Sequence, residues 1–262
     1  MTPSAAAVAA ASEAWVWIPD VAITVEADEY LLVRYPDWYD EPLVLTRVRP
    51  RRPTAQVLDE ALARAAELGP PEVVCWVRPD SVADLEPLLA ARGTLAETVD
   101  VLARGLGAEP PAPAAPGVEL RWVADLATLR DFEAVGVEVF GGALPPPGHL
   151  EQEAARAALA FATGAAARLV AYVDGGPVAA AGVSLVDGVA RLWGGAVLER
   201  HRGRGIYRTL LDHRLAWSAE GGAELALVKG RAATSGPILR RAGFTAYGQE
   251  RGYRLRLPNH QG

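Results

Sequence analysis

A basic, glycine-spaced stretch near residue 200 holds the residue types best suited to binding an anion. Residues 200–206 read Arg-His-Arg-Gly-Arg-Gly-Ile. The alternating apolar run 189–198 before it predicts a strand, and a helical pattern begins at Ile206. The free N–H groups and dipole of a helix N-terminus attract anions, glycines let backbone amides approach a phosphate, and arginines add charge-assisted hydrogen bonds. The sequence therefore predicts an anion site at this turn.

The spacing Arg-x-x-Gly-x-Gly differs from two common nucleotide-binding loops. The stretch contains no Gly-Lys-Ser/Thr, and its glycines are not spaced as in the dinucleotide fingerprint. Taken by itself, the stretch is also compatible with a basic surface turn ahead of an ordinary helix.

The composition limits the kind of protein and its partners. The 262 residues are enough for one large or two ordinary domains, and 50% of them are hydrophobic. The net charge of −6 argues against a nucleic-acid partner. Cys75 is the only cysteine, which excludes an intrachain disulfide and fits a reducing compartment. Residues 1–12 lack the features of a signal peptide, and no run of about 18 apolar residues predicts a membrane span. We therefore expect a soluble, cytoplasmic protein without a membrane partner.

A linker rich in proline and alanine, residues 105–117, divides the chain into segments 1–104 and 118–262. In the first segment the patterns predict short strands at 15–18 and 21–25 and further strands at 30–35, 43–48, 73–77 and 94–103. They also predict a helix from Thr54 to 68 and a helix from Asp80 or Ser81 to 92. In the second segment they predict the order β-α-α-β-β-β-α-β-α-β, with an antiparallel meander over 168–198.

The two segments resemble one another at an offset of about 150 residues. Val48 corresponds to Val197 and Gly93 to Gly243, and the order strand, helix, strand, helix, strand agrees. We interpret this as two copies of one fold, although two unrelated α/β segments with similar order remain an alternative. Thr54 and about Gln56 stand opposite the two glycines of the basic turn, after Pro53, which has no amide donor. We therefore expect the first copy to be degenerate and to pack against, or frame, the acceptor cleft of the second.

The basic turn and the order of elements over residues 117–257 resemble the GNAT superfamily, the general N-acetyltransferases that use acetyl-CoA. The resemblance implies an α/β (α+β) protein with two GNAT-like domains, each a mixed, mostly antiparallel twisted sheet flanked by helices. Residues 1–104 would be the degenerate domain and 118–262 the catalytic one. It also implies acetyl transfer to a primary amine of a small molecule or peptide without a metal, and it leaves a homodimer open.

The resemblance also assigns residues to the cofactor. In this family the strand before the turn pairs with the pantetheine arm of CoA, and the turn binds the pyrophosphate. The strand role falls on Ala196, Val197 and Leu198, and the pyrophosphate role on Arg200, Arg202, Gly203, Arg204, Gly205 and Ile206. The hydroxyl of Ser235 either faces CoA or caps a helix, and His201 is expected to be a spacer.

The catalytic residues do not follow the family pattern. The usual tyrosine acid position holds Leu239, a common asparagine position holds Ala232, and a strand glutamate of some members is replaced by Arg191. The candidate bases are Glu138 and Glu199, and the candidate acids are Tyr207 and Tyr247; for each, a solvated or packing role is the alternative. Phe140, Leu144 and Trp193 are the candidates for lining the acceptor side, with ordinary core packing as the alternative.

Two other functions fit the same residues. Because both usual catalytic positions are substituted, the chain could be a non-catalytic acyl-CoA-binding or regulatory protein. An acyltransferase that uses a longer acyl-CoA or a hydroxyl acceptor is the third interpretation.

Overall fold

The computed structural model describes residues 2–107 and 110–258, and these form seven α-helices and eleven strands. The strands are β1 (Ile23–Ala27), β2 (Tyr30–Arg34), β3 (Leu43–Thr46), β4 (Glu72–Val77), β5 (Thr94–Gly105), β6 (Glu119–Trp122), β7 (Ala166–Val173), β8 (Gly176–Val186), β9 (Val189–Val197), β10 (Leu225–Arg231) and β11 (Thr245–Arg256). The helices are α1 (Ala5–Ala14), α2 (Thr54–Glu67), α3 (Leu85–Arg92), α4 (Leu126–Phe140), α5 (Pro147–Ala162), α6 (Ile206–Glu220) and α7 (Ser235–Arg241).

All eleven strands belong to one sheet, in the order β1-β2-β3-β4-β11-β5-β10-β9-β8-β7-β6. Only β3 with β4 and β9 with β10 pair in parallel, and the other neighbours are antiparallel. The expected mixed, mostly antiparallel sheet flanked by helices is therefore confirmed, and so is the meander of β7, β8 and β9.

The last strands of the two halves are exchanged at the centre of the sheet. β11 lies between β4 and β5, and β5 pairs with β10. β5 and β11 run antiparallel, with Thr94 opposite Arg254 and Ala103 opposite Thr245, so equivalent strands meet around a local two-fold. Sequence patterns did not predict this pairing, which joins the two halves into one continuous sheet. The division of the chain at the linker stays a prediction.

The burial pattern of two helices supports the internal repeat. Val57 and Ala61 on α2 are buried, and so are Ile206 and Leu210 on α6. Val57 and Ile206 are 149 residues apart, as are Ala61 and Leu210, and this is also the offset between Val48 and Val197. Equivalent positions of the two amphipathic helices α2 and α6 therefore face the sheet.

The helices cover both faces of the sheet and so define the walls of any site on β9. Helices α4 and α5 pack with Ala196 and Leu198 on one face. Helix α6 packs with Val197 on the other, as the alternation of side chains along a strand requires. Helix α1 contributes Val8, which packs with Leu225 and Leu227 of β10.

Three local predictions were wrong. Residues 15–18 form no strand; the chain instead begins with α1, which is alanine-rich and capped by Ser4, whose hydroxyl accepts from Ala7 N at 3.2 Å. The helix expected from Asp80 or Ser81 begins at Leu85. Thr54 does not cap α2 but is its first residue. Pro53 is at the N-cap position, and no side chain caps the helix.

Among the described residues, no helix combines the length and the apolar character that crossing a bilayer requires.

Candidate functional site

Strands β9 and β10 separate in the middle of the sheet. Their parallel pairing covers only four residue pairs, from Leu225 with Val189 to Val228 with Leu192. Beyond this point β9 continues to Val197 and β10 to Arg231. An unpaired strand edge can pair with another extended chain. The segment 193–197, which includes the predicted residues Ala196 and Val197, therefore offers backbone groups to an extended ligand, and Leu198 follows directly.

A bulge lies in this free segment of β9. Gly194 and Gly195 stand opposite the single residue Ala181 of β8, and Gly194 has a φ of +61°. Such a bulge leaves one residue of the strand unpaired. Aromatic rings approach from both sides: Phe132 Cζ lies 4.0 Å from the Cβ position of Gly194, and the Tyr207 ring 3.1 Å from that of Gly195. The bulge is thus a narrow point between two aromatic rings where β9 has main-chain groups without a partner on β8.

The basic turn follows β9 and leads into α6. A short 3-10 turn over Glu199–His201 comes first, and Gly203 and Gly205 then adopt φ values of +75° and +79°. These are left-handed conformations that favour glycine. No side chain caps α6, and a Cβ on Gly203 would meet no atom within 4 Å. The first-turn amides of α6 are therefore free for an anion, in front of an open surface.

The arginines of the turn divide into supports and exposed charges. Arg202 Nε donates to the carbonyl of Val197 at 3.2 Å and ties the turn to β9. Arg204 Nη1 lies 3.1 Å from His201 Nδ1, and Arg200 forms a 2.6 Å ion pair with Glu138. All three arginines are exposed, so the turn carries positive charge on its solvent side.

The far side of the gap is formed by β10 and α7. Ser235 Oγ lies 3.2 Å from the Cβ position of Gly230, and Leu239 Cδ1 lies 2.7 Å from it. The Ser235 hydroxyl is thus at the end of β10, across the gap from the basic turn. Leu239 is fully buried and apolar, so it cannot donate a proton to a ligand.

Tyr207 lies under the bulge against a buried cation. Arg214 is buried, and no carboxylate of the described residues pairs with it; its Nη1 donates to the Gly182 carbonyl at 2.9 Å and its Nε to the Leu210 carbonyl at 3.2 Å. Burial raises the pKa of Tyr207 above its ordinary value of 10, and the adjacent Arg214 guanidinium opposes this by lowering it. The guanidinium therefore stabilises negative charge on the phenol oxygen in a place with little water.

The other acid and base candidates of the sequence are not all near the gap. Glu138 lies at the end of α4 in its pair with Arg200, and Glu199 is exposed beside the turn. Tyr247 lies on β11, which β5 and β10 separate from β9, and its hydroxyl donates to the Pro3 carbonyl at 2.8 Å. The structure thus brings Tyr207, Glu138 and Glu199 to the gap and leaves Tyr247 under α1.

The predicted acceptor residues lie on the α4 and α5 face. Trp193 lies across Gly182, and its Nε1 donates to Ser184 Oγ at 3.0 Å. The Phe140 ring lies 5.6 Å from the Arg231 guanidinium, so it faces the end of β10. Leu144 is 52% exposed and packs little.

Two residues near Trp193 were missed by sequence reasoning. Glu133 on α4 is partly buried, and burial raises its pKa, with Glu153 acting in the same direction and Arg168 opposing. A carboxylate directly beside the apolar stripe of Leu129, Phe132 and Val135 was the available signal. Tyr39 comes from the first half of the chain, where no pattern indicated its position.

The first half contributes a wall to this face. Ala143 N donates to the Trp38 carbonyl at 2.9 Å, and the Trp38 ring lies 5.2 Å from that of His149. Burial raises the pKa of the neighbouring Tyr39, and the charges of Glu133 and Glu153 raise it further. The loop 36–41 therefore lies against α4, α5 and their connection.

Comparison with known proteins finds a family match within the C-terminal half. Residues 138–235 match the acetyltransferase (GNAT) family. No curated protein matches the chain. The fold is similar to a GCN5-related N-acetyltransferase from Kribbella flavida, at a TM-score of 0.64 and 18% identity over 98% of this chain and 96% of that one. It is also similar to one from Sphaerobacter thermophilus, at a TM-score of 0.62 and 20% identity over 89% and 82%.

A third similar structure has a doubled organisation. It is described as a tandem GNAT protein from the clavulanic acid biosynthesis pathway, with a TM-score of 0.57 and 14% identity over 97% of this chain and 94% of that one. The expected tandem GNAT fold is thereby confirmed.

Within residues 2–107 and 110–258, no group of three or more His, Cys, Asp or Glu side chains is arranged to hold a metal ion.

Proposed function

We propose that this chain, which carries an acetyltransferase (GNAT) family domain at residues 138–235, transfers an acetyl group from acetyl-CoA to a primary amine of a small molecule or peptide. The observation that carries the proposal is the open turn at Gly203 and Gly205, directly after the unpaired end of β9. The turn offers amide donors and exposed arginines, which suit a pyrophosphate. The free strand edge directly before it suits an extended, amide-containing arm of the same ligand.

The residues of the turn and the gap have separate roles. The amides of residues 203–206 and the guanidiniums of Arg200 and Arg204 bind the pyrophosphate, while Arg202 holds the turn against β9. The backbone of residues 196–198 pairs with the arm, and Ser235 lies on the opposite side of the gap. The Gly194–Gly195 bulge aligns the thioester through its unpaired main-chain groups.

Acetyl-CoA supplies an acetyl group activated as a thioester. The amine nitrogen bonds to the carbonyl carbon as the carbon–sulfur bond breaks, and the nitrogen releases one proton to solvent as it becomes an amide. The sulfur leaves as a thiolate that takes up a proton. Tyr207 donates that proton from beneath the bulge in place of the apolar Leu239. Arg214 is a positioning residue, because it holds the phenol and stabilises the charge that remains on its oxygen.

Two measurements test the proposal. Isothermal titration calorimetry should detect binding of acetyl-CoA, and Gly205→Asp should abolish it by placing a carboxylate at the pyrophosphate. Thiol release over a panel of primary amines should then detect turnover. Absence of binding, or equal affinity in the Gly205→Asp variant, would refute the assignment of the turn.

A second function is favoured by the buried leucine at position 239. If Leu239 marks a lost acid that no other residue replaces, the chain binds acyl-CoA without catalysis. Tight binding with no thiol release from any amine, and no dependence on Tyr207, would support this regulatory function over the transferase.

A further inference from the structure

The Arg168 side chain on β7 is held between two aromatic rings close to the bulge. Its guanidinium carbon lies 5.7 Å from the Phe132 ring centroid and 5.5 Å from that of Trp193. Nη2 is bonded to Glu153, whereas Nη1 is buried and has no hydrogen-bond partner among the described residues. The Arg168 side chain is 18% exposed, and two rings and one carboxylate orient its guanidinium while Nη1 lacks an acceptor. Such a group suits an oxygen ligand.

Phe132 connects this guanidinium to the site of acetyl transfer. The same ring that lies beside Arg168 approaches the Cβ position of Gly194 to 4.0 Å. A small acceptor whose amine reaches the bulge can therefore place a second group on Arg168.

The buried polar atoms without partners share one chemical property. Across residues 2–107 and 110–258 they are all N–H donors: Trp38 Nε1, Arg78 Nε, Arg168 Nη1 and Arg191 Nε. Arg191 is two residues before Trp193 on β9 and so shares its face of the sheet. Trp38 adjoins Tyr39, with ring centroids 6.4 Å apart. Arg78 lies beside α1, where its Nε is 3.7 Å from a Glu250 carboxylate oxygen, and it is not part of this face. A ligand with acceptor oxygens would suit the three remaining donors.

Cationic and anionic side chains alternate beside Arg168. Glu153 lies between Arg168 and Arg156: its Oε1 is bonded to Arg168, and its Oε2 is 3.6 Å from Arg156 Nη1. Arg156 also approaches the exposed Asp20. Glu133 follows Phe132 on α4, the residue whose ring lies 5.7 Å from the Arg168 guanidinium, and it is half-buried. The charges of Arg168 and Glu153 act on its carboxyl group, which forms no hydrogen bond within the described residues. The site thus presents one guanidinium and one carboxylate that can each form further hydrogen bonds. This pair is complementary to a zwitterion rather than to a polyamine or a polyanion.

We propose that Arg168 binds the carboxylate, and Glu133 the amine, of a free amino acid that is the acetyl acceptor. This assignment rests on the proposed acetyl transfer. Glu133 accepts the proton of the ammonium group, and the neutral amine then attacks at the bulge. Trp193 and Phe132 orient the guanidinium, and Tyr39 closes the site from the first half of the chain.

The first experiment compares amino acids with their amides, which keep the amine and lose the carboxylate. For the wild-type protein we expect kcat/KM for the acid to exceed that for the amide by at least about tenfold, because a charge-assisted hydrogen bond to a buried guanidinium is lost. In Arg168→Gln the ratio should fall below about twofold. The control Arg130→Gln, on the exposed side of α4, should keep the wild-type ratio. Equal rates for acid and amide in the wild type would overturn the proposal even if the variant did not fold.

The second experiment addresses Glu133 through pH. The charges of Arg168 and Glu153 act on this carboxyl group, and its own charge acts on Tyr39. Its raised pKa predicts that kcat falls as the pH is lowered through it. Glu133→Gln should lower kcat about 100-fold and remove this acidic limb. The control Glu151→Gln, an exposed carboxylate on α5, should retain it. An unchanged acidic limb in Glu133→Gln would exclude the residue as the base.

Failure of the two proposals can be told apart by binding. Calorimetric titration with an amino acid, in the absence of CoA and again with saturating CoA, tests Arg168 without turnover. Acetyl-CoA binding without amino-acid binding would refute this inference alone. Amino-acid binding that depends on Arg168, in a protein that does not bind acetyl-CoA, would refute the transferase assignment alone.

Discussion

The turn after β3 and the turn after β9 occupy equivalent places in the two halves, but only one of them is open. In the first half, Glu29 is buried and fills the turn: its Oε1 accepts from Arg51 N at 2.5 Å and from Arg52 N at 3.1 Å, and its Oε2 accepts from Arg52 Nε at 2.7 Å. In the second half no side chain caps α6, and Gly203 faces open space. Both turns present amide donors, and the first supplies its own carboxylate as the acceptor.

The difference extends along the following helices. At the offset of 149 residues, Tyr207 corresponds to Leu58 and Arg214 to Ala65, and both residues of the first half are fully buried. Apolar side chains fill the space that holds a phenol and a guanidinium in the second half. The comparison teaches that one fold supports either a closed core or a site, according to whether its donors and cations are satisfied internally.

The largest effect is expected from placing charge in the open turn. Gly203→Asp should weaken acetyl-CoA binding at least about 100-fold, because a carboxylate then opposes the pyrophosphate. Gly203→Asn is the matched control, since asparagine also tolerates a positive φ and carries no charge. The calorimetric affinity should differ between these two variants, whereas Arg51→Asp in the first turn should leave it unchanged. Equal affinities in the Asp and Asn variants would contradict an anion site.

The next largest effect concerns the buried phenol. Tyr207→Phe should lower kcat about 100-fold, the range for a lost general acid, and should leave the KM for acetyl-CoA unchanged. Because its pKa lies above 10, the phenol should cause no loss of activity between pH 7 and 9. Tyr30→Phe in the first half removes a hydroxyl bonded to Glu60 at 3.2 Å and controls for lost hydrogen bonding. An equal fall in kcat for both variants would indicate a structural role.

A smaller effect is expected where the first turn is filled. Backbone hydrogen bonding from Arg51, followed by the Arg52 side chain, lowers the pKa of Glu29 below its ordinary value of 4.5. The ionised carboxylate therefore stabilises the fold above about pH 4.5, and this contribution is lost as the pH falls through the lowered pKa.

Glu29→Gln should accordingly reduce Tm by about 2–4 °C at pH 7, and the difference from wild type should shrink below pH 4.5. The stoichiometry of acetyl-CoA binding should remain one, since Pro53 lacks an amide donor and the first turn has no glycine. A difference in Tm that is constant with pH, or a second equivalent of bound acetyl-CoA, would contradict this account.

The smallest effect is expected for the exposed ion pair of the open turn. Arg200 and Glu138 are 61% and 54% exposed, so solvent screens their attraction. Glu138→Gln should change the free energy of unfolding by less than about 0.5 kcal/mol in a urea titration. A larger loss would show that the pair holds the turn in place.

Local patterns predicted much of the second half. Arg-x-x-Gly-x-Gly followed an alternating strand and preceded a helix, and those elements are β9 and α6. The bulge at Gly194 was not predicted, because it depends on how β8 and β9 pair. Helix α1 was missed because alanine carries little hydrophobic periodicity, and its place is fixed by Val8 packing with Val101 and Leu227.

The proposed acceptor face was the least predictable part. Trp193 was a candidate from its position, but Glu133, Arg168 and Tyr39 are far apart in sequence and come together only through α4, β7 and a loop of the first half. No local pattern encodes such a contact, and Arg168 in particular is an ordinary strand residue until its two aromatic neighbours and its free nitrogen are visible.

The sequence by itself determined the glycine conformations, the apolar stripes and the internal repeat, because these depend on residue type and spacing along the chain. Tertiary structure alone decided that the last strands are exchanged and that Glu29 fills one turn while the other stays open. It also decided that Arg214 is buried beneath the bulge, bonded to backbone carbonyls and to no carboxylate of the described residues. These features depend on which strands pair and which side chains are desolvated together, and such long-range contacts leave no periodic signal in the sequence.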